Sequence, residues 1–169
     1  LFILKNALKD HIQVERHFAD DLQEVECYPG QLNQVFMNII SNAVHAIGER
    51  PGIVSIYTQN TPTGIQIKIK DTGKGIPASI QKRIFDPFFT TKPTGRGLGL
   101  ASVAATMSAH GGQVDVVSQA GGTAFELRLP APQQENPARP AAPGSARQPT
   151  APSFRQSVQD SRQASQLDM

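Results

Sequence analysis

The chain has 169 residues, enough for one domain with a buried core and too few for two. Its formal net charge is only +2, with 12 Lys/Arg against 11 Asp/Glu in residues 1–130 and 4 against 3 in 131–169. Neither part is therefore a basic patch of the kind that neutralises nucleic-acid phosphate. One cysteine, Cys27, excludes an internal disulfide and a Cys-x-x-Cys metal site, and no apolar run reaches the length of a membrane-spanning helix.

A reducing, cytoplasmic setting with no membrane segment in the chain fits these features. The sequence opens on Leu1-Phe2-Ile3-Leu4 without a signal-peptide pattern, and Leu1–Lys9 reads as a short helix. Residues 1–10 are thus expected to be the end of an upstream helical linker, with a further module before it. Ile12–Phe18 alternates as a strand, and Glu24–Cys27 is a second, shorter candidate ahead of the break at Pro29-Gly30. Gln31–Glu49 is the strongest helical stretch. Ile53–Gln59 and Gly64–Lys70 read as a strand pair joined by a turn at Pro62 and Gly64.

Beyond Asp71, Pro77 starts a short helix over Ala78–Arg83, and a Pro-, Thr- and Gly-rich loop runs to Gly97. Leu98–Ala109 is helical and ends at Gly111-Gly112 in the manner of a C-cap. Val114–Val117 and Ala124–Leu129 supply a closing strand pair. Residues 131–169 hold six prolines and only Phe154, Val158, Leu167 and Met169 as large apolar side chains. A segment so poor in apolar surface cannot offset its ordering entropy and is expected to be a disordered tail. The spacing of Phe154 and Val158 allows a weak helix near Ser153–Leu167. The domain proper is then 11–130, mixed α and β.

Three short segments carry chemistry. On the Gln31–Glu49 helix, Val35, Phe36, Ile39, Ile40, Ala43, Val44 and Ile47 spread over one broad face. Gln34, Asn38, Asn42 and His45 form a narrow stripe opposite. Asparagine is a mediocre helix former, so Asn38 and Asn42, one turn apart, read either as solvated surface or as amide oxygens suited to a hard cation such as Mg²⁺. Asp71-Thr72-Gly73-Lys74-Gly75-Ile76 follows a strand whose Ile65, Ile67 and Ile69 share one face. Alone it reads as a plain turn. If Asp71 is buried, it accepts hydrogen bonds only, takes the exocyclic amine of adenine and rejects guanine's carbonyl. Gly73 and Gly75 then clear room for a flat ring, and Ile76 offers an apolar contact. Gly95-Arg96-Gly97-Leu98-Gly99-Leu100 leads into a helix and exposes backbone N–H groups suited to phosphate. It has neither dinucleotide-binding nor P-loop spacing.

Taken together, the blocks resemble the ATP-binding domain of sensor histidine kinases, of the gyrase, Hsp90 and kinase superfamily. Asn38-Ile39-Ile40-Ser41-Asn42-Ala43 is similar to its N box, and Asp71–Ile76 to its G1 box. Phe85-Asp86-Pro87-Phe88-Phe89, with Thr90-Thr91-Lys92 following, is similar to its F box. Gly95–Leu100 matches the G2 box and Gly121-Gly122-Thr123-Ala124-Phe125 the last glycine block. The resemblance covers about residues 1–130.

It implies a Bergerat fold, an α/β (α+β) two-layer sandwich of a mixed, mostly antiparallel sheet on three helices. It also implies ATP and Mg²⁺ as ligands, with Asn42 on the metal, Asp71 on the adenine amine and Thr123 helping through water. Residues of about 77–97 become a mobile lid, with Lys92 and Arg96 its cations for phosphate, and Gly97, Leu98 and Gly99 join the ATP-binding residues where the lid leads into the next helix. Phe85, Phe88 and Phe89 become lid anchors in the core. His45 stands where the family often has a lysine or arginine near phosphate. ATP-hydrolysing relatives typically carry a glutamate at the position of Asn38, and an asparagine is no general base. That favours phosphoryl transfer over hydrolysis.

In the kinases the acceptor is a histidine on dimerisation helices. His11, His17, His45 and His110 all lack its sequence setting, so no catalytic residue is assigned within this chain. The expected partners are those upstream phosphoacceptor helices and a response regulator, in two-component signal transduction. The competing expectation is a non-catalytic nucleotide-binding or partner-docking domain.

Overall fold

In a computed structural model, the structure describes residues 11–93 and 95–132. The helix expected over Leu1–Lys9, the disorder expected over 131–169 and the weak helix near Ser153–Leu167 lie wholly or almost wholly outside them.

Five strands form one sheet: β1 (Ile12–His17), β2 (Gly52–Thr61), β3 (Gly64–Asp71), β4 (Gln113–Gln119) and β5 (Gly122–Pro130). Their order is β1-β2-β3-β5-β4, with β1 and β2 parallel and every other pair antiparallel. Three helices occur among the described residues: α1 (Pro29–Ile47), α2 (Ala78–Gln81) and α3 (Gly99–Ala109). α1 packs over β2 and β3, α3 over β4 and β5, and the two helices pack on each other. The expected mixed, mostly antiparallel sandwich is what forms.

Register explains why one face is core. Side chains directly opposite across a ladder share a face. Ile56, Ile69, Phe125 and Val116 therefore make one rung, Ile67, Leu127 and Val114 the next, and Ile65 and Leu129 the last. Most of these are buried, together with Leu32, Val35, Ile39, Ile40, Ala43, Val44 and Ile47 of α1 and Val103 and Met107 of α3. The opposite face is polar, with Lys68 bonded to Glu126 at 2.8 Å and Arg128 to Asp115 and Glu126.

Ahead of α1 the structure departs from expectation twice. α1 begins at Pro29 rather than after it, because proline at the first helical position loses no bond and its φ suits the helix. No strand forms over Glu24–Cys27. Just ahead of that segment the chain is held by a side chain: Asn60 Oδ1 accepts from the Gln23 N–H, and Asn60 Nδ2 donates to the Asp21 carbonyl.

Candidate functional site

The rung at the end of the buried face breaks the apolar pattern. It runs Val54, Asp71, Thr123, Ser118 across β2, β3, β5 and β4. Asp71 and Thr123 are each 3% exposed. Burial pushes the Asp71 carboxyl above its ordinary value of 3.8, and backbone N–H groups of Gly73 and Thr123 pull it partway back. The Gly73 N–H lies 2.8 Å from Asp71 Oδ1.

Above this rung opens a cleft of about 950 Å³ between α1, the turn after β3, the start of α3 and the segment from Pro77 to Leu98. A cavity of this size accommodates a small organic ligand. Asn38, Asn42, His45, Asp71, Gly75, Ile76, Lys92, Arg96, Gly97, Leu98, Gly99 and Thr123 all line it. Twelve positions drawn from separate sequence blocks thus converge on one wall system.

Gly73 does not line the cleft. A β-carbon there would sit 2.6 Å from Ala46 of α1, so its bareness lets the turn press against the helix. The Lys74 N–H donates to the Ala46 carbonyl at 3.0 Å and fixes that contact. Gly75, at φ +77°, has the Gln119 carbonyl oxygen 2.0 Å from where a β-carbon would stand.

On α1 the polar stripe divides its tasks. Asn38 accepts from Gln34 Nε2 at 3.2 Å and donates to the Gly99 carbonyl at 3.2 Å, tying α1 to the start of α3. The Asn42 amide oxygen accepts from Lys92 Nζ at 2.8 Å, so it already faces a cation. Burial pulls the Lys92 amine below its ordinary range. His45 is exposed and its Nδ1 lies 2.6 Å from the Ser41 carbonyl.

The segment over the mouth is anchored by Phe85 and Phe89, which pack against the core, Phe85 edge-on to Phe125 at 6.4 Å. Arg83 stacks over Phe89 at 4.6 Å. Phe88 is not the core anchor expected of it: it is 76% exposed. Its backbone sits at φ +66°, and its N–H donates to the Gly97 carbonyl at 2.9 Å, a turn that swings the ring outward.

Ser118 and Gln81 were not among the residues singled out from the sequence, yet both bond to the turn after Asp71. Ser118 Oγ accepts from the Ile76 N–H at 2.8 Å and lies 2.8 Å from Thr123 Oγ1. Gln81 Nε2 donates to the Ile76 and Ser118 carbonyls. The signal for Ser118 was available: in Val114, Val116, Ser118 the apolar alternation stops one rung level with Asp71.

Among the described residues no group of three or more His, Cys, Asp and Glu could hold a metal unaided, and no helix is long and apolar enough to cross a membrane. The free Cys27 is exposed.

The sequence model of a family described as "Histidine kinase-, DNA gyrase B-, and HSP90-like ATPase" matches residues 27–133. The chain is 40% identical over 129 residues to Sensor histidine kinase ZraS of Escherichia coli (strain K12), covering 76% of this chain and 28% of that protein. To Sensory histidine kinase/phosphatase NtrB of Rhizobium meliloti (strain 1021) it is 36% identical over 144 residues, covering 76% and 38%. The chain thus spans well under half the length of these relatives. Among solved structures, mycobacterial sensor histidine kinase MprB superposes with a TM-score of 0.65 at 28% identity, covering 76% of this chain and 87% of that one. Full-length ShkA in complex with AMPPNP gives 0.67 at 28% identity, covering 76% and 28%.

Proposed function

The chain belongs to the histidine kinase-, DNA gyrase B- and HSP90-like ATPase family, and on that premise we propose that residues 11–130 are the ATP·Mg²⁺-binding catalytic domain of a sensor histidine kinase. The domain passes the γ-phosphoryl of ATP to a histidine on dimerisation helices outside this chain, for relay to a response regulator in the cytoplasm.

The observation that carries this reading is the buried Asp71 carboxylate on the polar rung at the cleft floor. A buried, acceptor-only group aimed at an open cavity is unfavourable for folding and useful for reading a donor such as the adenine amine. Gly75 and Ile76 form the surface against which the base lies, with Thr123 beside Asp71. Gly97, Leu98 and Gly99 offer backbone N–H groups to phosphate at the start of α3, and Lys92 and Arg96 add charge from the lid. His45 lines the same wall.

The residues present fit the metal as well. The Asn42 amide oxygen is a hard donor that already accepts an ammonium, and Mg²⁺ commonly takes one or two protein oxygens and completes its shell with phosphate and water. The metal, when bound, neutralises charge on the transferring phosphoryl group. Asn38, engaged with Gly99 and Gln34, has no basic lone pair for activating water, which supports transfer over hydrolysis.

Titration with a fluorescent ATP analogue, with and without Mg²⁺, tests the binding. Absence of saturable adenine-nucleotide binding refutes it. Adding the helical module in trans is expected to yield an acid-labile phosphohistidine on that module, whereas the chain alone autophosphorylates little or not at all. Binding without transfer would leave a non-catalytic nucleotide-binding domain.

A further inference from the structure

Ser118 lies outside the cleft but at the junction of everything that shapes its base-binding end. Its hydroxyl has one proton and two lone pairs. One lone pair takes the Ile76 N–H at 2.8 Å, and the proton has two acceptors in reach, the Gly122 carbonyl at 3.1 Å and Thr123 Oγ1 at 2.8 Å. With the proton on the carbonyl, the second lone pair faces Thr123 Oγ1 and takes its hydrogen. Thr123 Oγ1 has no other hydrogen-bond partner among the described residues. The main chain of Ser118 is fixed as well, since Gln81 Nε2 bridges its carbonyl at 2.9 Å to that of Ile76 at 2.8 Å.

We propose that Ser118 is a positioning residue for base selection: it draws the hydroxyl hydrogen of Thr123 away from the cleft, so that Thr123 and Asp71 together present only acceptors to the base. This rests on the nucleotide reading above. An acceptor-only corner welcomes an exocyclic amine and sets lone pair against lone pair when a carbonyl takes its place. Asp71 alone would leave a neighbouring hydroxyl free to turn and rescue the carbonyl. With its hydrogen held by Ser118, Thr123 cannot.

Inosine triphosphate, which carries a carbonyl where ATP carries the amine, is the probe. Affinities for ATP and for inosine triphosphate are measured on the wild-type chain, Ser118→Ala, Ser118→Thr and Thr123→Val, alone and combined. Wild type is expected to prefer ATP. In Ser118→Ala the Thr123 hydrogen is freed, and the preference ratio is expected to shrink roughly 3- to 10-fold, the size of one neutral hydrogen bond. Ser118→Thr keeps the hydroxyl and is expected to keep the ratio. In the Thr123→Val background, Ser118→Ala is expected to leave the ratio unchanged.

If Ser118→Ala weakens both nucleotides by the same factor, Ser118 only braces the turn and the proposal is overturned. Ser118→Cys, of similar size and a weak acceptor, replaces the alanine variant should that fail to fold, and the ratio must move in the same direction. A wild-type chain that binds neither nucleotide refutes the nucleotide reading itself, an outcome distinct from an unchanged ratio.

Discussion

Replacing Asp71 by Asn separates base recognition from folding. An asparagine oxygen can accept the N–H groups of Gly73 and Thr123 that Asp71 accepts now. That choice turns Nδ2 toward the cleft, where it meets the adenine amine donor to donor. A hydrogen bond to a charged group contributes about 1.5–3 kcal/mol, so ATP binding is expected to weaken by roughly 10- to 150-fold. Stability should hold or rise, because a carboxylate at 3% exposure is removed from the interior. The pH dependence has a definite sign. The native carboxyl titrates above its ordinary value of 3.8, so between those two points the folded state holds more protons than the unfolded chain. Wild-type stability therefore falls as pH rises through that window, and the asparagine variant lacks this step. ATP affinity runs the other way, being lost as acid protonates Asp71. Competition titration against a fluorescent ATP analogue and thermal melts over a pH series read both effects. An Asp71→Asn chain that binds ATP within twofold of wild type would refute the assignment of Asp71 to the base.

Gly97→Ala places a β-carbon 2.3 Å from the Phe88 carbonyl carbon at φ +68°, and a left-handed residue other than glycine costs about 1–2 kcal/mol before the clash. Hydrogen exchange is expected to show the Phe88 amide losing its protection, and nucleotide titration a weaker site. Lys92→Ala removes an exposed bond to Asn42 Oδ1, so its melting temperature should stay near wild type while affinity for ATP falls several-fold. His110 accepts the Tyr28 N–H at Nε2 and bonds the Thr106 carbonyl through Nδ1, joining the end of α3 to the start of α1. His110→Phe is expected to cost about 1 kcal/mol, read as a drop of a few degrees in Tm, with ATP affinity unchanged because His110 does not line the cleft.

Much of this was legible because hydrophobic periodicity reports burial directly. Ile65, Ile67 and Ile69 alternate in sequence and are buried in the structure, and the apolar face of α1 is the one that meets the sheet. The glycine blocks were legible for a similar reason, since close backbone approach leaves few residues permissible. What the sequence hid is contact between distant segments. The side-chain anchoring of Gln23 by Asn60 and the outward turn of Phe88 depend on partners 37 and 9 residues away, which no local pattern encodes. Gln81 is unremarkable in a short helix until its neighbours are known, whereas Ser118 shows in the sequence only as the place where the alternation of Val114 and Val116 stops.

The polar rung also argues for function on energetic grounds. Across β3, β5 and β4 the other three rungs of the buried face are apolar, and Val54 on β2 shows that an aliphatic side chain fits the fourth. An apolar residue at position 71 would remove a desolvated charge that only two backbone N–H groups compensate. Yet the charge stands where β2, β3, β5 and β4 all end beside the cleft, and glycines and hydroxyls are arranged around it. Folding alone gives no reason to bury a carboxylate there. A ligand that donates to it does, because binding returns the hydrogen bonds that burial removed.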